Sequence, residues 1–307
     1  MLKKIKTTLW LYLDDLLLIA GGAFAFANRG GDDVVNIATK PMTEQYILGE
    51  ALDILIEQDT DLNVELTQGV GGGTSNIQPA MESGEFDIYP EYTGTAWNMV
   101  LMESGVYDES LFGELQARYE TDYDMSWRGM YGFNNTYGLV VRTEIAERYG
   151  IETYSDLAKV DDRLTFGAEY DFFEREDGYD ALCGTYGLDF GATMDMDIGL
   201  KYQALNQGEI DVMVIFTTDG QLSTADAVVL ADDKGFFPSY LCGNVVRNEV
   251  LSDHPELEEI FAKLTDTITD ADMAAMNYAV ETEGAEPRDV AMDFLRDHGL
   301  LNEEADA

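Results

Sequence analysis

Positive charge, histidine and cysteine are all scarce in this chain, and each scarcity removes a class of function. Eighteen lysines and arginines stand against 60 aspartates and glutamates, a formal net charge of −42 over 307 residues. The acids are spread along the chain, so no stretch offers the basic footprint that neutralises phosphates, and general nucleic-acid binding is excluded. With two histidines and two cysteines, there is no Cys/His cluster at zinc-ligand spacing and no Ser/His/Asp or Cys/His pairing with supporting local context. His254 precedes Pro255 at a predicted helix start and His298 precedes Gly299 at a predicted helix end, where capping or dipole roles suit them. Carboxylate pairs are too common in this composition to mark a catalytic acid and base. Cys183 and Cys242 leave two options, one disulfide or two separate buried thiols.

Hydrophobic residues make up 46% of the chain and aromatics 11%, enough to bury the core of one large domain or of two lobes. The acidity has two readings. One is a cation-binding surface; the other is the solvated exterior of a protein in very high salt, where screening shrinks self-repulsion. The second fits better, because the acids fall on predicted exposed helix faces and not at metal-ligand spacings. The N-terminus carries Lys3, Lys4 and Lys6, then an apolar run from Leu9 to Ala27 ending in Ala25-Phe26-Ala27, a small-residue cleavage signature that points to export. Asp14 and Asp15 interrupt that run and make a stable membrane span costly. Residues 1–33 are expected to be a signal or anchor segment with a linker.

Val34 to Ala38 reads as a buried strand leading to Thr43 as the N-cap of a helix. The apolar positions Ile47, Leu48, Ala51, Leu52, Leu55 and Ile56 of that helix recur at helical spacing. Leu62 to Leu66 reads as a second strand, so the chain opens βαβ. The run Gly69-Val70-Gly71-Gly72-Gly73 lacks a following Lys-Ser/Thr pair, which rejects a Walker loop and leaves a tight strand-to-helix turn whose amides could face an anionic group. A weak repeat matches Ala80 to Ile88 with Ala204 to Val212: helix end, glycine C-cap, outgoing strand. Counting onward equally from Asp87 and Asp211 lands on Tyr92 and Phe216, so two α/β halves would each present an aromatic at a strand end, where ligands of such sheets gather. Pro255 to Leu264, Asp270 to Val280 and Pro287 to His298 are predicted helices that pack back on the first half.

Several aromatics stand beside turn residues: Tyr92-Thr93-Gly94-Thr95, Phe133-Asn134-Asn135-Thr136-Tyr137-Gly138, Phe216-Thr217-Thr218-Asp219 and Phe237-Pro238-Ser239-Tyr240. Such positions sit at loop tips. Together with Met42 to Glu50, Gly84 to Thr95, Phe166 to Tyr170, Arg175 to Gly178, Tyr186 to Leu188, Thr218 to Gly220 and Phe236 to Pro238, they closely resemble the substrate-binding proteins of osmoprotectant ABC importers, the glycine betaine/carnitine/choline group. The resemblance runs from Val34 to about Leu301.

It implies a two-lobed α/β fold of the type II periplasmic-binding-protein kind, with the ligand in the interlobe cleft. Lobe 1 would be residues 34–133 plus 242–307 and lobe 2 residues 134–241. By motif position, Tyr92, Tyr137, Phe216 and Tyr240 form an aromatic cage for a trimethylammonium group, which cannot donate a conventional hydrogen bond and is held by ring faces. Thr95 shares the Tyr92 loop, and the main chain of Asn135 can line the cage. Lys40 and Arg175 map to the cations that take a carboxylate. Choline, with its neutral hydroxyl, would leave both without an anion, so glycine betaine or a related betaine is expected. Phe216 stands where the family commonly has Tyr, which removes a hydroxyl and keeps the quadrupole.

The resemblance further implies no catalysis, cofactor or metal. It implies a monomer on the outer face of the membrane, attached by its N-terminus or its permease, that closes on its ligand and docks on an ABC permease driven by a cytoplasmic ATPase. The alternatives are a protein that prefers choline or carnitine, a sensor of osmolytes without transport, and an enzyme acting on choline-like substrates.

Overall fold

The computed structural model describes residues 34–302 apart from 170–171, 174–177 and 197–199. The expected signal or anchor segment and Arg175 lie outside the described residues. The chain opens with β1 (Val34–Ala38), helix α1 (Thr43–Asp59), β2 (Asn63–Thr67), α2 (Thr74–Ser83) and β3 (Ile88–Tyr92). β4 (Met125–Arg128) follows, then β5 (Tyr137–Arg142), β6 (Thr165–Ala168), β7 (Ala192–Asp195), α3 (Lys201–Gln207), β8 (Val212–Phe216), β9 (Ala227–Val229) and β10 (Cys242–Arg247). The C-terminal region supplies α4 (Leu257–Leu264), α5 (Asp270–Glu281) and α6 (Pro287–Asp297).

These strands form two five-stranded mixed sheets with one plan. The orders are β2-β1-β3-β10-β4 and β7-β6-β8-β5-β9. In each, the first three strands are parallel, and the fourth runs antiparallel to both neighbours. Successive side chains go to opposite faces, so each sheet carries two apolar layers. Val246 joins one layer and Val245 the other, just as Val212 and Val214 part from Met213 and Ile215. The apolar stripe of α1 is buried as its spacing predicts, and α4, α5 and α6 pack in the same cluster. Thr43 is not the N-cap. Met42 takes the extended N-cap conformation without a side-chain cap, and the helix dipole is complemented by the first-turn carboxylate of Glu44.

The weak repeat recurs in the structure, down to its ion pairs. α2 ends on Gly84 at φ 76° and α3 on Gly208 at φ 71°, the left-handed cap that glycine adopts without a Cβ penalty. The amides of Glu85 and Glu209 both return 2.9 Å to the carbonyls of Ala80 and Ala204. Asp87 accepts from the amide of Asn36 at 2.8 Å and pairs with Arg247; Asp211 accepts from the amide of Thr165 at 3.0 Å and pairs with Arg142. Each arginine also meets a second acid, Glu249 or Glu144. From these anchors the strands run in step to the opposite sheet edge, where Tyr92 faces Cys242 and Phe216 faces Tyr137 across the ladders.

The chain leaves the first sheet after β4 and returns before β10. The two crossing segments touch through an antiparallel bridge between Asn134 and Leu241. Cys242 is buried in the core of the first sheet, whereas Cys183 packs against that of the second. Both are free thiols, which decides the cysteine question for two separate thiols. Among the described residues, no helix is long and apolar enough to cross a membrane, and no group of three or more His, Cys, Asp or Glu side chains is placed to hold a metal ion.

Candidate functional site

A cavity of about 730 Å³ lies where the segments following β1, β3 and β8 meet those preceding β5 and β10. Seven of the eight predicted site residues line it: Lys40, Tyr92, Thr95, Asn135, Tyr137, Phe216 and Tyr240. The rings arrive by sheet register. Tyr137 begins β5 opposite Phe216 at the end of β8, and their centroids lie 4.6 Å apart with planes tilted by 34°. Phe237 and Phe172 back Tyr137 at 5.7 and 6.0 Å. On the other side, Tyr92 closes β3, and Tyr240 lies against Gly94. A Cβ at Gly94 would come within 2.5 Å of the Ser239 carbonyl and 2.8 Å of the Tyr240 ring, so only glycine lets these two cavity-lining loops approach. The glycine run at residues 69–73 is not part of the lining; what that turn contributes is the start of α2, where the Thr74 hydroxyl donates to Glu91 at 2.7 Å.

Lys40 lines the cavity with a partner that the sequence did not indicate. Its ammonium is buried, forms an ion pair with the fully buried Glu91, and sits 4.6 Å over the Tyr92 ring. Glu91 also accepts from the Tyr92 amide at 2.6 Å. The positive charge of Lys40 is thus answered within the protein, and a ligand with a neutral end would not leave it without an anion. The reason is long-range: Lys40 follows β1 and Glu91 is the penultimate residue of β3, and the parallel sheet makes these strands neighbours.

Five further lining residues carry the polarity of the site: Glu44, Thr218, Asp219, Asn277 and Glu281. Glu44 accepts from the Tyr92 hydroxyl, from Asn135 Nδ2 at 2.8 Å and Thr218 Oγ1 at 2.9 Å, and from Asn277 Nδ2 at 3.4 Å. These partners are 48 to 233 residues away. Glu44 stands inside the Met42 to Glu50 motif, but no local spacing could pair it. Asn277 and Glu281 lie on α5, whose period signals only packing. Burial, with the Glu44 carboxylate beside it, holds the Tyr92 hydroxyl well above its ordinary range and keeps it a donor.

Asp219 accepts from the Tyr202 hydroxyl at 3.0 Å and the Phe216 amide at 3.1 Å. Burial raises its pKa above the ordinary 3.8, opposed by the charge of Lys201 and these bonds. A carboxylate raised in the folded state contributes stability below its unfolded value and loses it as pH climbs through the folded one. Asp219→Asn is therefore expected to melt at a higher temperature than the parent at pH 7. The gap should close as pH drops below 3.8, and a gap independent of pH in thermal melts would refute the assignment.

Apolar ring faces, acceptor-rich walls and a self-neutralised Lys40 suit a weakly hydrated cation that donates no hydrogen bonds. The histidines are not among the lining residues. The model for the substrate-binding domain of ABC-type glycine betaine transport systems matches residues 33–297. The chain is 42% identical, over 97% of its length, to the ergothioneine transport permease/ergothioneine binding protein EgtU of Helicobacter pylori strain G27, but spans only 53% of that protein. It is 35% identical to the carnitine transport binding protein OpuCC of Listeria monocytogenes, covering 93% of this chain and 94% of that one. A crystal structure described as a glycine betaine/carnitine/choline ABC transporter superposes with a TM-score of 0.82 at 37% identity, over 87% of this chain and all of that one. That superposition agrees with the type II periplasmic-binding-protein fold, and with it the chain is shown to belong to the family of substrate-binding domains of ABC-type glycine betaine transport systems.

Proposed function

We propose that this protein captures glycine betaine or a related betaine outside the cytoplasm and hands it to an ABC permease for osmoprotection. The observation that carries this reading is the convergence of Tyr92, Tyr137, Phe216 and Tyr240 on one cavity whose remaining walls are rich in carboxylates. Ring faces and carboxylates attract a trimethylammonium group without asking it for a hydrogen bond. Thr95 and Asn135 complete the wall. The ligand carboxylate is assigned to the donors of Lys40 not engaged by Glu91 and to Arg175. Because Glu91 already balances Lys40, discrimination against choline falls mainly to Arg175.

The two halves are taken to be lobes of residues 34–133 with 242–307 and of residues 134–241, hinged at the Asn134 and Leu241 bridge, with residues 1–33 as signal or anchor. Closure presents the loaded monomer to a permease powered by a cytoplasmic ATPase. A second reading is a longer betaine, such as the ergothioneine named for the Helicobacter relative. A cavity of about 730 Å³ is the size of sites for drug-sized ligands and exceeds what glycine betaine fills. Calorimetry in molar salt with glycine betaine, proline betaine, carnitine, ergothioneine and choline separates these. Betaines should bind at least about tenfold more tightly than choline, a gap of about 1.4 kcal/mol. Choline binding as tightly as glycine betaine would sink the betaine assignment, and ergothioneine binding most tightly would select the second reading.

A further inference from the structure

We infer that Glu44 is the negative charge that selects for a cationic ligand, and that the same carboxylate positions the cavity walls of both sheets around it. This rests on the proposed capture of a quaternary ammonium. Glu44 lines the cavity yet is almost fully buried. Among the described residues its hydrogen-bond donors are Tyr92, Asn135, Thr218 and Asn277, all neutral groups. The contrast with Glu91 is direct. Glu91 is equally buried, but its charge is matched by Lys40, whereas Glu44 has no ion-pair partner among the described residues and is held in place by dipoles. A fixed charge in a site shielded from water acts at far greater strength than one on the surface, and its preformed donors need no reorganisation when a cation arrives.

The partners give the second half of the role. Tyr92 is the ring that ends β3 in the first sheet. Asn135 lies just ahead of Tyr137, and Thr218 just after Phe216, both rings of the second sheet. Asn277 comes from α5 and also donates to the Thr218 carbonyl at 2.9 Å. One carboxylate from α1 therefore grips the segments that carry three of the four rings. The orientation of both amides follows as well: each turns its NH₂ toward Glu44, and each Oδ1 is buried without a partner among the described residues. Accepting those two orphaned oxygens is intelligible if donating to Glu44 is what fixes these side chains.

The test compares glycine betaine with 3,3-dimethylbutanoate, its isostere with carbon in place of the ammonium nitrogen, by calorimetry on the full chain. Shape and carboxylate are shared, so the affinity ratio isolates recognition of positive charge. The parent should prefer betaine strongly, and Glu44→Gln should cut that ratio by at least about tenfold. A merely structural role would weaken both ligands alike and leave the ratio unchanged, which overturns the inference. A parent with no preference for betaine overturns both this inference and the proposed function. A parent that discriminates, with a variant that discriminates equally, overturns this inference alone. Should Glu44→Gln fail to fold, Glu44→Asp is read in the same way: it keeps the charge but withdraws it by one methylene, so the ratio should fall, and an unchanged ratio counts against the inference.

Discussion

Glu91→Gln is expected to lower the free energy of unfolding by about 3–5 kcal/mol, the largest effect of any single substitution considered for this protein. The variant leaves the ammonium of Lys40 buried beside a neutral amide, in a site already closed over by Tyr92 and Thr74. Glutamine keeps one acceptor oxygen, enough for the Thr74 hydroxyl or for Lys40 and the Tyr92 amide but not for both sides, so the loss combines the missing charge with a lost hydrogen bond. Lys40→Met should cost a similar amount, because it leaves the Glu91 carboxylate without its cation. Combining Lys40→Met with Glu91→Gln should recover most of the loss, since neither remaining group carries a charge that needs compensation. Urea unfolding of the four proteins provides the cycle. If Glu91→Gln falls within about 1 kcal/mol of the parent, Glu91 is not what compensates Lys40, and the full charge of Lys40 is free to act on a ligand.

Tyr137→Ala should weaken betaine binding about a hundredfold while the protein stays folded. A desolvated ring face contributes up to about 2 kcal/mol to a bound cation, and losing the stacked Phe216 contact frees the neighbouring ring at a further cost of about 0.5–1.5 kcal/mol. Tyr137 stands where β5 begins, opposite Phe216 and backed by Phe237 and Phe172. Removing it therefore opens one wall of the cavity and leaves the first-sheet wall of Tyr92 and Tyr240 in place. Calorimetry with glycine betaine measures the loss, and far-ultraviolet circular dichroism checks the fold. An affinity within threefold of the parent would remove Tyr137 from the cage.

What belongs to a single element was legible before any fold was known. The stripe on α1 follows from its helical spacing, and the ends of α2 and α3 from Gly84 and Gly208. The repeat spanning Ala80 to Ile88 and Ala204 to Val212 announced two related halves, and its equal count to Tyr92 and Phe216 put an aromatic at the end of each. Those features persist because caps and periods are set by residues within a turn or two of one another. The Thr43 cap failed at the same scale, where Met42 and Thr43 differ by one position and boundaries are least constrained.

The sequence by itself therefore determined the two α/β halves, the strand-end aromatics Tyr92 and Phe216 and, through long ordered motifs, the family. Tertiary structure decided what those residues do to one another. It set Lys40 against Glu91, gathered four donors from across the chain onto Glu44, and put Cys183 and Cys242 in different cores. Charge compensation depends on distance in space, which falls off through a low-dielectric interior and bears no relation to separation along the chain. Only the packing of distant elements fixed which buried charge was answered within the protein.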